Sequence, residues 1–290
     1  MMTRFTAQLT AQLDRLGHHS VRPGRRERPP TLVAVAHGSR DPEALRTVNA
    51  LLDRVRALRP WLPVRLGHIE LNRPLLTDTL AALRGEVVLV PLLLSRGHHI
   101  KRDIPDAVAA APHLTARTAA PLGPDPLLAE ALHARLTEAD RRAQADRGAQ
   151  AGHQAAGAGR RVAAPHRTDG VVLAAAGSRD PDAAVDTART AALLSARLGG
   201  VPVLPGYASG SGPTVPEAVR ALAARGHHRI AVASYFTAPG RFAAQCASAA
   251  PGLAGAPLGA HPAVARLVVR RYEQALASAS LSHPAATVGV

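Results

Sequence analysis

Histidine side chains follow two apolar segments in the first half of the chain. His37 comes directly after the apolar run 31–36, and His98 and His99 follow the run 87–94. Neutral imidazole binds iron, cobalt, nickel and zinc, and its nitrogen also accepts protons near neutral pH. Because the chain has fourteen histidines, a solvated loop with chance histidines is the plainer alternative. These positions predict either a metal-binding, proton-accepting site or an ordinary polar loop.

A repeated heptapeptide indicates that the chain is duplicated. Residues 36–42 read Ala-His-Gly-Ser-Arg-Asp-Pro and residues 175–181 read Ala-Ala-Gly-Ser-Arg-Asp-Pro, so six of seven positions match at an offset of 139. Each copy follows a short apolar run and precedes a stretch with helical spacing, and the later order of such segments also agrees. We interpret the chain as a tandem duplication of one unit.

The histidines differ between the two copies, whereas the surrounding motif does not. Gly-Ser-Arg-Asp-Pro occurs in both copies, which is typical of a requirement of the backbone. The aligned pairs are His37 and Ala176, Gly97 and Gly240, His98 and Arg241, and His99 and Phe242. Because the duplicated fold does not require the histidines, the duplication favours a functional role for them.

Apolar runs alternate with helical stretches, which predicts an α/β fold with parallel sheets. We expect two tandem lobes, each a small parallel sheet flanked by helices, with a cleft between them. The predicted strands are 31–36, 64–71, 87–94, 114–119, 170–175, 201–207, 229–236 and 255–258. The predicted helices are 42–58, 74–85, 103–110, 125–138, 182–198, 214–225, 240–248 and 261–277. Ligands bind beyond the carboxyl ends of such strands, which is where His37 and His99 lie.

Composition also predicts the domain boundaries. We expect the N-terminal lobe, with the active site, at 30–138 and a degenerate C-terminal lobe at 170–278. Residues 139–169 are rich in Ala, Gly, Arg and Gln, which is typical of a flexible linker. Residues 1–29 and 279–290 are expected to be loosely ordered tails.

A carboxylate and several basic side chains belong to the same predicted edge. Glu70 ends the second strand, where it could bind a divalent cation or relay protons; a surface glutamate near a helix start is the alternative. Its counterpart in the second copy is Ser209. Basic residues that could pair with carboxylates of a ligand, or form only a solvated rim, are Arg40, Arg73, Arg96, Lys101 and Arg102.

Composition excludes several classes of protein. The single cysteine, Cys246, excludes an internal disulfide, a CxxC zinc site and a Cys-ligated iron–sulfur cluster. Apolar runs shorter than the ~18 residues of a membrane helix, and an N-terminus without signal-peptide features, predict a cytoplasmic protein. The net charge of +14 favours anionic partners, but scattered arginines and 2% aromatics argue against nucleic acid as a partner.

Three motifs resemble a known family. Ala-His-Gly-Ser-Arg at 36–40, Glu-Leu-x-x-Pro at 70–74 and Leu-x-x-Gly-x-His-x-x-x-Asp-Ile-Pro at 94–105 look like the sirohydrochlorin chelatases, the class II chelatases of the CbiX/SirB type. The resemblance covers about 31–135 strongly and about 170–277 as a degenerate copy. It implies that two histidines, here His37 and His99, bind the incoming metal and accept pyrrole protons.

The resemblance also implies a substrate and roles for the neighbouring residues. We expect insertion of Fe²⁺ into sirohydrochlorin to give sirohaem; cobalt insertion toward cobalamin and a non-catalytic metal or tetrapyrrole carrier are the alternatives. The metal is then a substrate, and no permanently bound cofactor is expected. The catalytic set is His37, His99 and Glu70, the metal ligands are His37 and His99, and the substrate-binding set is Arg40, Arg96, Ser39 and Gly97. The oligomeric state stays open.

Overall fold

The computed structural model describes residues 29–154, 168–210 and 212–280. Within these ranges two four-stranded sheets form, and every strand pair in them is parallel. The first sheet has the order β2-β1-β3-β4 and consists of β1 Thr31–Ala36, β2 Val64–His68, β3 Gly85–Pro91 and β4 Leu114–Thr118. The second has the order β6-β5-β7-β8 and consists of β5 Gly170–Ala175, β6 Val203–Tyr207, β7 Ile230–Ser234 and β8 Leu253–Ala254.

Helices cover both faces of each sheet, which is why the central strands β1 and β5 are almost wholly apolar and buried. In the first half they are α1 Pro42–Leu58, α2 Leu76–Ala81, a π-helical turn His99–Asp103, α3 Ile104–Ala109 and α4 Pro126–Gln154. In the second half they are α5 Pro181–Arg197, α6 Val215–Ala223, α7 Arg241–Ser248 and α8 Pro262–Ser280. The predicted fold of two α/β lobes is confirmed.

The last helix of each half packs on the sheet of the other half. Helix α4 contacts α5, β7 and β8, whereas α8 contacts α1, β3 and β4. Each of these two helices also donates a hydrogen bond to the other half. Arg135 of α4 donates to the Leu258 carbonyl at 3.0 Å, and Arg271 of α8 donates to the Leu122 carbonyl at 2.9 Å. One continuous apolar core therefore joins the two halves.

Several predicted boundaries differ from the structure. The expected strand 64–71 ends at His68, and the expected helix 74–85 spans only Leu76–Ala81. The expected strand at 255–258 is wrong: the strand there is the two-residue β8, which ends just before it. The backbone leaves the strand conformation just after His68 so that the next residues can turn across the sheet edge, and Leu71 adopts a φ of 67°.

The expected linker 139–169 is helical over its first part. Residues 139–154 continue α4, because Ala, Arg and Gln are strong helix formers and the helix is already anchored by its buried first turns. Residues 155–167, and the expected tail 1–29 except its last residue, lie outside the described residues. The division into lobes at 138 and 170 stays a prediction, although α4, assigned to the first lobe, packs on the second sheet.

Candidate functional site

The turn after β1 brings two loops into direct backbone contact. Gly38 has a φ of +103°, and a Cβ added there would lie 1.9 Å from the Glu70 carbonyl oxygen. The amide of Glu70 donates to the His37 carbonyl at 3.0 Å. Only glycine fits this close approach, so the sequence of the turn fixes where the side chains of His37 and Glu70 emerge.

The second copy of the motif builds the same turn without the histidine. Gly177 has a φ of +87° and its added Cβ would lie 1.8 Å from the Ser209 carbonyl oxygen. Ser39 accepts a hydrogen bond from the Asp41 amide at 3.1 Å, and Ser178 accepts the same bond from Asp180 at 3.0 Å. The predicted substrate-binding residue Ser39 therefore has a structural role that both halves share.

His37 and His99 are brought together, as the sequence predicts. Their ring centroids lie 4.7 Å apart with an interplanar angle of 81°. His98 is farther away, with its ring 6.3 Å from that of His99 and its side chain 76% exposed. The pair lies beyond the carboxyl ends of β1 and β3, which are neighbours in the sheet.

Each of the two rings has its own carboxylate. Nε2 of His37 lies 3.2 Å from Oε1 of Glu70, and Nδ1 of His99 lies 2.5 Å from Oδ2 of Asp103. A carboxylate on one ring nitrogen fixes the tautomer and orients the ring. For His99 the bond to Asp103 assigns the proton to Nδ1 and leaves the Nε2 lone pair for a metal ion or a proton.

Sequence reasoning did not assign a role to Asp103. Its spacing of four residues from His99 is the signal that could have found it, because such pairs share one face of a helix. The segment between them forms a π-helical turn, and the Ile104 amide donates to the His99 carbonyl. Single π-turns are frequent at functional sites.

The site is open to solvent and offers few metal ligands. His37 and Glu70 side chains are 43% and 52% exposed, and those of His99 and Asp103 are each 35% exposed. Within the ranges that the structure describes, no group of three or more His, Cys, Asp or Glu residues is placed to hold a metal ion. Two imidazoles suit an ion that must be released again better than a closed set of four ligands does.

The predicted basic rim divides into bonded and exposed side chains. The guanidinium of Arg96 is bonded to Asp186 of α5, and Arg73 is bonded to Asp78 at 2.7 Å. Arg40 is exposed, and among the described residues no carboxylate pairs with it. Arg40 is therefore available to a ligand, whereas Arg96 already has a partner in the other half.

Two further features do not belong to the site. His68 is 2% exposed and burial lowers its pKa, so it is a neutral core residue whose Nδ1 lies 3.2 Å from the Pro74 carbonyl. A cavity of 710 Å³ lies between α4, α7 and the segment 252–257. Its lining includes Asp41 but neither His37 nor His99.

No helix in the described part of the chain has both the length and the apolar character to cross a membrane.

The comparison with protein families decides the relationship. The CbiX family model matches residues 31–139 and 170–275, so it covers most of the chain and matches each half separately. The chain belongs to the CbiX family. The two matched segments coincide with the two copies of the fold, which confirms the resemblance read from the three motifs.

Individual relatives in the comparison are named as sirohydrochlorin chelatases. A sirohydrochlorin cobaltochelatase of Methanococcus aeolicus is 32% identical over 78 residues, which is 26% of this chain and 54% of that protein. A sirohydrochlorin ferrochelatase of Bacillus subtilis is 25% identical over 195 residues, which is 64% of this chain and 66% of that protein. The chain spans about half the length of the first curated relatives it matches.

A solved structure shares the fold of this chain over most of its length. SirB from Bacillus subtilis with Fe³⁺ superposes with a TM-score of 0.62 at 20% identity, and the match covers 87% of this chain and 98% of SirB. At this identity the likeness shows the fold alone.

Proposed function

We propose that the chain inserts a divalent metal ion into sirohydrochlorin, with Fe²⁺ as the favoured ion and sirohaem as the product. The observation that carries the proposal is the pair formed by His37 and His99, whose rings lie 4.7 Å apart and each face a carboxylate. Membership of the CbiX family supports the choice of reaction.

The chemistry requires two protons to leave two pyrrole nitrogens as one M²⁺ ion enters. The Nε2 lone pair of His99 can accept a proton from the macrocycle, and Asp103 then stabilises the imidazolium through Nδ1–H. Glu70 can stabilise an imidazolium of His37 through Nε2–H. The proton would then be accepted at Nδ1, which must first turn away from the Gly38 carbonyl oxygen that lies 3.1 Å from it. Before proton transfer, the two imidazoles hold the ion weakly enough to release it into the ring.

The rim of the site suits a polycarboxylate. Sirohydrochlorin carries many carboxylates, and the exposed guanidinium of Arg40 follows His37 by three residues. An arginine can bind a carboxylate through two parallel hydrogen bonds. The substrate-binding roles of Arg40, Arg96, Ser39 and Gly97 stay predictions, and we favour Arg40 among them because Arg96 and Ser39 are engaged within the protein.

Cobalt insertion is the second candidate, because several similar relatives are named sirohydrochlorin cobaltochelatases. Imidazole accepts both ions, so the site itself does not choose between them. The proposal includes a cytoplasmic location, which rests on the sequence features given above, and treats the metal as a substrate rather than a resident cofactor.

Anaerobic absorbance assays of sirohydrochlorin with Fe²⁺ and with Co²⁺, side by side, test the proposal. The wild-type protein should accelerate the spectral change of metal insertion, and His37→Ala and His99→Ala should abolish that acceleration. Phe242→Ala, at the position equivalent to His99, is the matched control and should keep full activity. Full activity of both histidine variants would refute the site, and binding without acceleration would identify a carrier.

A further inference from the structure

The loop that carries His99 is bonded to the first turns of α5 in the other half. The backbone amide of Arg96 donates to Oδ2 of Asp186 at 2.9 Å, and its guanidinium donates to both oxygens of the same carboxylate at 2.7–3.2 Å. Lys101 Nζ lies 2.7 Å from Asp180 and 2.9 Å from Asp182. The bonds fall three residues before His99 and two residues after it.

Asp186 is placed as a dedicated anchor. Its side chain is only 1% exposed, so an unpaired charge there would be costly. Burial by itself would raise the pKa of Asp186, but the hydrogen bonds and the charge from Arg96 outweigh it, and the pKa lies below its usual value. The carboxylate is therefore ionised and holds the loop at neutral pH.

The second half lacks the basic side chains that would make the equivalent contact with the first half. At the aligned positions the second half has Pro239 for Arg96 and Ala244 for Lys101, neither of which can donate from its side chain. The first half likewise has Thr47 where the second has Asp186. In this contact the half without the histidines supplies the carboxylates, and the half with the histidines supplies the cationic side chains.

We propose that Asp186, together with Asp180 and Asp182, positions the loop of His99 so that its ring meets His37. These acids are positioning residues, since they bond to the loop and to neither imidazole. The proposal rests on the proposed function and gives the second half a part in the reaction. A displacement of about 1 Å of a reacting group can cost 10²-fold in rate.

The first test replaces Asp186 by the neutral amide and uses a matched anchor as the control. Asp125 is also buried and paired with arginines across the halves, Arg270 and Arg271, and within the described residues its bonds avoid the loop 95–103. Asp186→Asn should lower kcat by about 10-fold to 100-fold with an unchanged KM for sirohydrochlorin. Asp125→Asn should lower the melting temperature but leave kcat within about 2-fold.

Hydrogen exchange gives a readout that a purely structural role would not produce. The peptide covering 95–103 should exchange faster in Asp186→Asn than in Asp125→Asn when both are compared at equal distance below their melting temperatures. Equal kcat losses in the two variants, or unchanged exchange of this peptide, would overturn the proposal.

An exposed pair keeps the proposal testable if Asp186→Asn does not fold. Lys101→Met removes a charge from a side chain that is 45% exposed. Arg59→Met is its control, because Arg59 pairs with Glu273 of α8 at a similarly exposed contact between the halves. Lys101→Met should lower kcat several-fold and Arg59→Met should not; equal values would overturn the proposal. An active His99→Ala would instead refute the proposed function.

Discussion

The two halves of the molecule share their turns and caps but not their reactive side chains. A Cβ added at Gly38 would lie 1.9 Å from the facing carbonyl oxygen, and one added at Gly177 would lie 1.8 Å from its own. Asp41 and Asp180 cap α1 and α5 with equivalent hydrogen bonds. The chemical groups of the first half nevertheless have no counterpart. The replaced pairs are His37 by Ala176, Glu70 by Ser209 and His99 by Phe242. The backbone of this fold is thus independent of the chemistry placed on it.

The halves also differ in the length of one connection. The partners Val88 and Arg117 are separated by 29 residues, whereas the equivalent partners Ala231 and Leu253 are separated by 22. The longer connection contains the π-helical turn with His99 and Asp103. Residues of the shorter one line the 710 Å³ cavity between α4 and α7. Because His99 aligns with Phe242 without a gap, the extra residues of the first half lie beyond the histidine.

The largest expected effect comes from the two equivalent glycines. Gly38→Ala and Gly177→Ala should each destabilise the protein by about 2–4 kcal/mol, because the new Cβ meets a backbone oxygen and φ is positive. Urea unfolding of both variants measures this. If Gly177→Ala were neutral, the turn of the second half would not be a structural requirement.

The carboxylates behind the histidines come next. Glu70→Gln should lower kcat/KM by about 10-fold to 100-fold, because a ring loses the partner that orients it. Ser209→Ala, at the equivalent position, loses only a hydrogen bond to the Ala176 carbonyl and should keep its activity. Metal-insertion kinetics of Glu70→Gln and Ser209→Ala measure whether the equivalent positions of the two halves contribute differently to activity. Equal kcat/KM values would show that Glu70 is a surface residue.

Much of this arrangement follows from the sequence. The bounds of β1 and α1 match the prediction because an apolar run ends at a turn with an Asp cap and Pro at the first helical turn. The juxtaposition of His37 and His99 follows from their places after neighbouring strands of a parallel sheet.

The contacts between the halves do not follow from it. Periodicity shows that α4 has an apolar stretch but not which sheet that stretch covers, so its exchange with α8 could not be foreseen. For the same reason Arg96 reads as a free basic side chain in the sequence, although Asp186 holds it across 90 residues of chain. Long-range pairing depends on topology that no local pattern contains.

Tyr235 offers a smaller test of how the halves are joined. Its hydroxyl donates to the Leu94 carbonyl at 2.8 Å and lies 3.1 Å from Thr190 Oγ1, at the position where the first half has the apolar Leu92. Burial raises the pKa of Tyr235 strongly, so it remains a neutral donor. Tyr235→Phe should cost about 1–2 kcal/mol by leaving a partly buried carbonyl without this donor. Chemical denaturation checks this, with Leu92→Ile as a packing control in the other half.

The smallest difference concerns the caps of the exchanged helices. Asp125 Oδ1 accepts from the Leu127 amide at 2.9 Å at the start of α4, whereas His261 Nδ1 accepts from the Ala263 amide at 3.2 Å at the start of α8. An imidazole accepts at Nδ1 only while that nitrogen is unprotonated. The cap of α8 is therefore lost when the ring of His261 takes up a proton at Nδ1.

Burial, and then the charge of Arg135, lower the pKa of His261 in the folded protein. Because the unfolded chain takes up a proton near pH 6.5 and the folded chain resists it, this contribution to stability is complete above pH ~6.5 and is lost as the pH falls below it. His261→Asn keeps an acceptor at the cap without a titrating ring. Between pH 7 and 5 the wild type should lose about 1 kcal/mol more than the variant. Urea midpoints at each pH measure the difference, and parallel curves would mean that His261 does not control the start of α8.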